Sequence, residues 1–159
     1  SGATNTLASN TNFQNIFASP SNGQVVLEQD GTYAIECMFY MTNLSTTAGT
    51  IGFQLGGTAV LQSVNLIIYT SRVSSPAIPG GTAQCLMNTT SVSSAGIGSS
   101  NTVCYVNIRG TFKIPVNSGG TVIPQVSMTQ ANAAVIEQSA YFRARYIGDS
   151  SLITEGPWS

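Results

Sequence analysis

The chain is expected to be all-β, a jelly-roll sandwich of about ten strands, and three observations lead there. Gly31 to Met41 alternates strictly: Tyr33, Ile35, Cys37, Phe39 and Met41 share one face, while Thr32, Ala34, Glu36, Met38 and Tyr40 share the other. Turn signals recur at steady spacing: Pro20-Ser21-Asn22-Gly23, Asp30-Gly31, Gly56-Gly57, and Pro115 to Gly120. No window carries the i, i+3, i+4, i+7 pattern of a surface helix. Ala131 to Gln138 is the one candidate, and Asn132 with the β-branched Val135-Ile136 argues against it.

The Gly31–Met41 stretch organises the rest. Its first face is apolar throughout, and Met38 and Tyr40 make the far end of its second face apolar as well. A central strand explains the first face; contact with something other than water explains the second. In chain order, Ser1 to Asn10 reads as a linker or cloning remnant, and residues 11–159 as one domain. Thr11 to Ser19, with Phe13, Ile16 and Phe17, reads as an irregular strand, and Gln24 to Gln29 as a short one. Asn43 to Gly49 is a polar loop. Ile51 to Leu55 alternates, and Thr58 to Tyr69 is a long strand with Val60, Val64, Leu66 and Ile68 opposite Leu61, Ile67 and Tyr69. Arg72 to Gly81 is a proline- and glycine-rich connection, Gln84 to Thr89 a short strand, and Ser91 to Asn101 a small-residue loop. Val103 to Ile114 places Cys104, Val106, Ile108, Phe112 and Ile114 inward. Thr121 to Met128, Ala133 to Ile136 and Ser139 to Ile147 complete the strands. The expected core is Tyr33, Ile35, Phe39, Val64, Leu66, Ile108 and Phe142.

Composition restricts function. Charged residues are 7% of the chain against about 25% in an average domain, so Ser, Thr, Asn, Gln and Gly must build the surface. Five scattered basic residues give no footprint for nucleic acid. No apolar run approaches the roughly 20 residues of a membrane span, so membrane insertion is not expected. The cysteines Cys37, Cys85 and Cys104 form no CxxC or Cys/His pattern; Cys37, on the apolar face, reads as a small buried hydrophobe.

The expected catalytic, metal and cofactor sites are none. The chain has no histidine, which removes Ser/His/Asp and Cys/His arrangements. Glycoside hydrolysis needs two tuned carboxylates about 5–10 Å apart, and neither Glu36 nor Glu137 has an evident partner of that kind. Glu28 and Asp30 flank a turn and are too few for calcium. Glu36, mid-strand, is expected to meet an arginine such as Arg143 or Arg145 on a neighbouring strand.

Two sets of residues carry a resemblance. Gly31-Thr32-Tyr33 early and Ser139-Ala140-Tyr141-Phe142 late resemble the strands that bracket the jelly roll of the tumour-necrosis-factor and complement-C1q superfamily. The later part of the chain resembles the C-terminal head of phage tail-fibre and virion proteins. The matching residues are Ile108-Arg109-Gly110, Gly119 to Gln125, Ser139 to Phe142, Tyr146-Ile147-Gly148 and Gly156-Pro157-Trp158. The resemblance implies a ten-stranded jelly roll, a homotrimer and a place on the surface of a virion.

Function is then expected in surfaces. The apolar second faces, Met38, Tyr40, Leu61, Ile67, Tyr69 and Tyr141, are the expected oligomer interface. The alternative is that the chain's own Thr11 to Ser19 covers one of them. The loops with Asn43, Ser45, Thr46, Ser93, Ser94, Ser99 and Asn101 offer neutral hydrogen-bonding groups for a host-surface glycan or protein, or are solubilising tips. A purely architectural role, trimerisation or capsid decoration without a ligand, stands beside receptor binding; a depolymerase is the remote third reading.

Overall fold

Strict alternation makes β4 (Gly31–Thr42) the axis of the structure: Tyr33, Ile35, Cys37, Phe39 and Met41 are all buried, and every residue between them is half-exposed. The computed structural model describes residues 4–18, 23–47, 49–72, 92–97 and 102–148. These residues are all-β, with no helix among them. The other strands are β1 (Asn5–Thr6), β2 (Gln14–Asn15), β3 (Val25–Leu27), β5 (Gly49–Gly57), β6 (Gln62–Arg72), β7 (Val92–Ile97), β8 (Cys104–Ile114), β9 (Gly120–Met128), β10 (Val135–Ile136) and β11 (Tyr141–Gly148).

Two antiparallel sheets enclose one core. In the first, β10 and β11 follow one another along one edge of β4, with β1 beyond β10; β8 and then β6 lie on the other side of β4. In the second, β2 and β3 share one edge of β9, and β5 and β7 follow on the other. The pairings are nested: β1 with β10, β3 with β9, β4 with β8, β5 with β7. From β3 to β10 successive strands therefore alternate between sheets, and nearly every hydrogen-bonded neighbour is distant in the chain. Phe39, Met41, Ile108 and Phe112 from the first sheet meet Ile51, Phe53, Val122 and Val126 from the second in one apolar cluster. Of the expected core residues, Tyr33, Ile35, Phe39, Val64, Leu66 and Ile108 are buried, and Phe142 packs partly buried against them.

The structure departs from the sequence reading in three places. Within the supposed linker, Asn5–Thr6 pairs with Ile136 and Val135, and Leu7 is buried, so the chain joins the sandwich before Thr11. Thr58 to Val60 are not strand; β6 starts at Gln62 and carries a bulge before Asn65, with Ser63 at a φ of 49°. A bulge reverses the side-chain parity of what precedes it. Hence Leu61 packs against the core while Val60 is exposed, the opposite of the expected faces. Finally Ser93 and Ser94, expected in a loop, lie in β7 opposite Phe53 and Gly52. Ser99, Asn101, Cys85, Gln84 to Thr89 and the segment after Gly148 lie outside the described residues.

The bulge explains Gly110. A methyl group there would fall on the carbonyl oxygen of Asn65, at the point where β6 presses against β8. Gly110→Ala is expected to lower stability by about 1–3 kcal/mol as an overpacked contact, read from the urea midpoint; a change below about 0.5 kcal/mol, the size of an ordinary surface substitution, would show that the bulge yields freely. Gly31, at a φ of 138°, opens β4 in a conformation that L side chains rarely take, as the Asp30-Gly31 turn signal requires.

Cys37 and Cys104 are both fully buried. Burial pushes the Cys37 thiol far above its ordinary range, so the folded chain keeps a proton that the unfolded chain releases above about pH 8.5. This thiol therefore leaves stability unaffected below that pH and erodes it as pH rises, by up to about 1.4 kcal/mol per pH unit. Tyr33, raised by burial first and then by Tyr146 and Asp30, enters only at higher pH. Unfolding free energies measured between about pH 7.5 and 9.5 are expected to fall less steeply for Cys37→Ala than for the unchanged chain. Parallel slopes would contradict the assigned burial.

Candidate functional site

The outward side chains of β11, β4, β8 and β6 form ordered rows because the register of the first sheet fixes which residues lie abreast. One row is Tyr141, Met38, Asn107 and Tyr69; the next is Arg143, Glu36, Arg109 and Ile67. Beyond it lie Arg145, Ala34, Thr111 and Asn65, and on the other side Tyr40 stands opposite Tyr105. The face is thus aromatic and apolar towards the C-terminal end of β4 and cationic towards its start.

Five of the six expected interface residues, Met38, Tyr40, Ile67, Tyr69 and Tyr141, meet on this one face; Leu61 does not. Tyr69 and Tyr141, at the two ends of their row on the edge strands β6 and β11, are exposed by 39% and 37%. The Tyr141 hydroxyl lies 3.3 Å from the Met38 sulfur. Its pKa is raised, by partial burial first and then by the Glu36 carboxylate, which favours the neutral phenol. Asn107 Oδ1, in the same row, is buried and accepts no hydrogen bond among the described residues, an arrangement rare in folded chains. Gln14–Asn15 pairs with β9 in the other sheet, and Ile16 and Phe17 enter the core. The described part of Thr11 to Ser19 therefore does not cover this face.

Glu36 is held from both sides. Its Oε1 lies 3.0 Å from Arg109 Nη2 and its Oε2 3.4 Å from Arg143 Nη2. Arg143 is one of the two partners expected from the sequence. Arg109 is an addition, and so is Tyr105, whose outward position was readable from its place between Cys104 and Val106. The arginine side chains are 62% and 66% exposed, so these pairs orient the groups more than they stabilise the fold. Glu137 takes a 2.7 Å hydrogen bond from the Thr42 hydroxyl, and its backbone N–H donates to the Tyr40 carbonyl. That places it about 13 Å from Glu36 along β4, too far to act with it as a glycosidase pair. Among the described residues no three carboxylates or cysteines come together as a ligand set.

The loop residues proved less available. The Asn43 side chain donates to the Ala133 carbonyl at 2.9 Å, and its own carbonyl accepts from Asn132 at 2.6 Å. Ser45 Oγ accepts the Thr47 N–H, and the buried Leu44 pins the segment, its N–H bonded to the Thr102 carbonyl. Thr46 is exposed. This loop is organised mainly to hold itself in place. Comparison of the chain with family models, curated proteins and solved structures finds no match.

Proposed function

We propose that this chain is a jelly-roll head domain that assembles as a homotrimer on a virion fibre and binds a host-surface receptor. The observation that carries the reading is the continuous outer face of the first sheet, where Met38, Tyr40, Ile67, Tyr69, Tyr105 and Tyr141 stand together. A chain with so few charges has little to keep such a face apart from its copies. Nested pairing, with β4 and β8 inside β3 and β9 inside β1 and β10, supports the jelly-roll reading and with it the resemblance to trimeric heads. Closed cyclic symmetry buries the face without leaving an open end.

An architectural role without a ligand is the second reading, favoured by the internal use of Asn43 and Ser45. Light scattering on the purified chain tests assembly, and adsorption to host-envelope glycans separates the two roles. Trimers that adsorb support the head reading; trimers that bind no envelope component favour the architectural one; a monomer overturns both.

A further inference from the structure

We infer that the depression around Ala34, on the outer face of the first sheet, is an anion site that takes the carboxylate of an acidic sugar. Ala34, Glu36, Arg109, Arg143 and Arg145 line a cavity of about 260 Å³. Small-molecule sites begin near roughly 300 Å³, so the space suits one ring, not an extended chain. Three of the five basic residues of the protein stand here, against one carboxylate, in a molecule of net charge −1. That is a local surplus of positive charge in a chain that is otherwise net acidic.

The arrangement leaves donors unused. Arg109 and Arg143 each touch Glu36 through Nη2 alone, and a guanidinium carries five N–H donors in a planar fork. Glu36 therefore orients two forks without saturating either. Arg145, abreast of Ala34, has no ion pair among the described residues. Ala34 offers no side chain beyond its methyl group, which lowers the floor between these forks, and the Thr111 hydroxyl lies next in the row. Planar forks match a carboxylate in bidentate fashion. Glu36 in the lining disfavours a phosphate dianion more than a monoanion. Exposed arginines make each site weak and salt-sensitive. The lining belongs to one copy and lies on the β11 side of the cationic end of the face, away from the aromatic end around Tyr40 and Tyr105 where a neighbouring copy would close. The inference therefore rests on the receptor reading for where the sugar comes from and on an assembly that leaves this end open.

The test is a titration of the full chain with sodium glucuronate, glucose and inorganic phosphate at matched ionic strength, following the arginine Nε–H signals by nuclear magnetic resonance. Glucuronate is expected to shift the Arg109, Arg143 and Arg145 signals saturably with a dissociation constant on the order of 1 mM. Glucose is expected to leave them in place and phosphate to bind more weakly. Arg145→Ala is expected to weaken glucuronate at least about tenfold, and Arg145→Lys, which keeps the charge but loses the fork, to weaken it too. Lys113→Ala, the same charge change elsewhere on the face, is expected to leave binding within about twofold. The absence of a saturable shift, equal losses in Lys113→Ala and Arg145→Ala, or phosphate binding as tightly as glucuronate would each overturn the site. The mass of the same sample keeps the two readings apart: binding by a monomer sinks the trimer and leaves the site, and a trimer without binding does the reverse.

Discussion

Replacing Phe39 with alanine is expected to destabilise the fold by about 3–5 kcal/mol. The ring is 1% exposed and sits on the core face of β4, with Val106 of β8 abreast of it. The side chains around it on the same face, Cys37 and Met41 on β4 and Val106 and Ile108 on β8, are themselves fully buried, so they cannot swing in to fill the space. The lost transfer energy and the cavity then add. Against a total stability of about 5–15 kcal/mol for a domain, this one change removes a large share. Urea unfolding followed by far-ultraviolet circular dichroism measures it. A loss below about 1 kcal/mol, less than an ordinary core truncation gives, would mean that Phe39 does not occupy a close-packed interior.

Phe39 was legible because β4 obeys a local rule: its side chains alternate without interruption from Tyr33 to Met41, and β8 does much the same from Cys104 to Ile114. What was not legible depended on partners distant in the chain. The start of β6 breaks the rule through the bulge at Ser63, which no local pattern of the sequence announces. Alternation read through the bulge put Val60 inside and Leu61 outside, the reverse of what the structure has. β7 is Val-Ser-Ser-Ala-Gly-Ile, a poor strand by propensity, and its pairing with β5 overrides that. At the candidate site, Glu36 and an arginine of β11 could be matched from their outward parity. Arg109 could not, because only the β4–β8 register brings it abreast of Glu36.

Tyr40→Asp combined with Ile67→Asp is expected to convert a trimer into a folded monomer. Both side chains point away from the core, Tyr40 opposite Tyr105 and Ile67 beside Arg109, so neither change opens a cavity. In a single copy the carboxylate introduced at position 67 gains Arg109 as a cross-strand partner, and the one introduced at position 40 faces water, which keeps the sheet intact. In an assembly closed over this face the same carboxylates are buried. Each costs at least about 1–3 kcal/mol when it lacks a partner. At position 67 Arg109 of the same copy stays beside the carboxylate, so the unpartnered one at position 40 alone weakens association by about one to two powers of ten for every copy added. Light scattering at micromolar concentration should give three times the 16.5 kDa of one chain for the unchanged protein. The double variant should give the single mass with an unaltered β spectrum. A monomeric mass for the unchanged protein would rule the trimer out, and a double variant that stays trimeric would move the interface to another face of the sandwich.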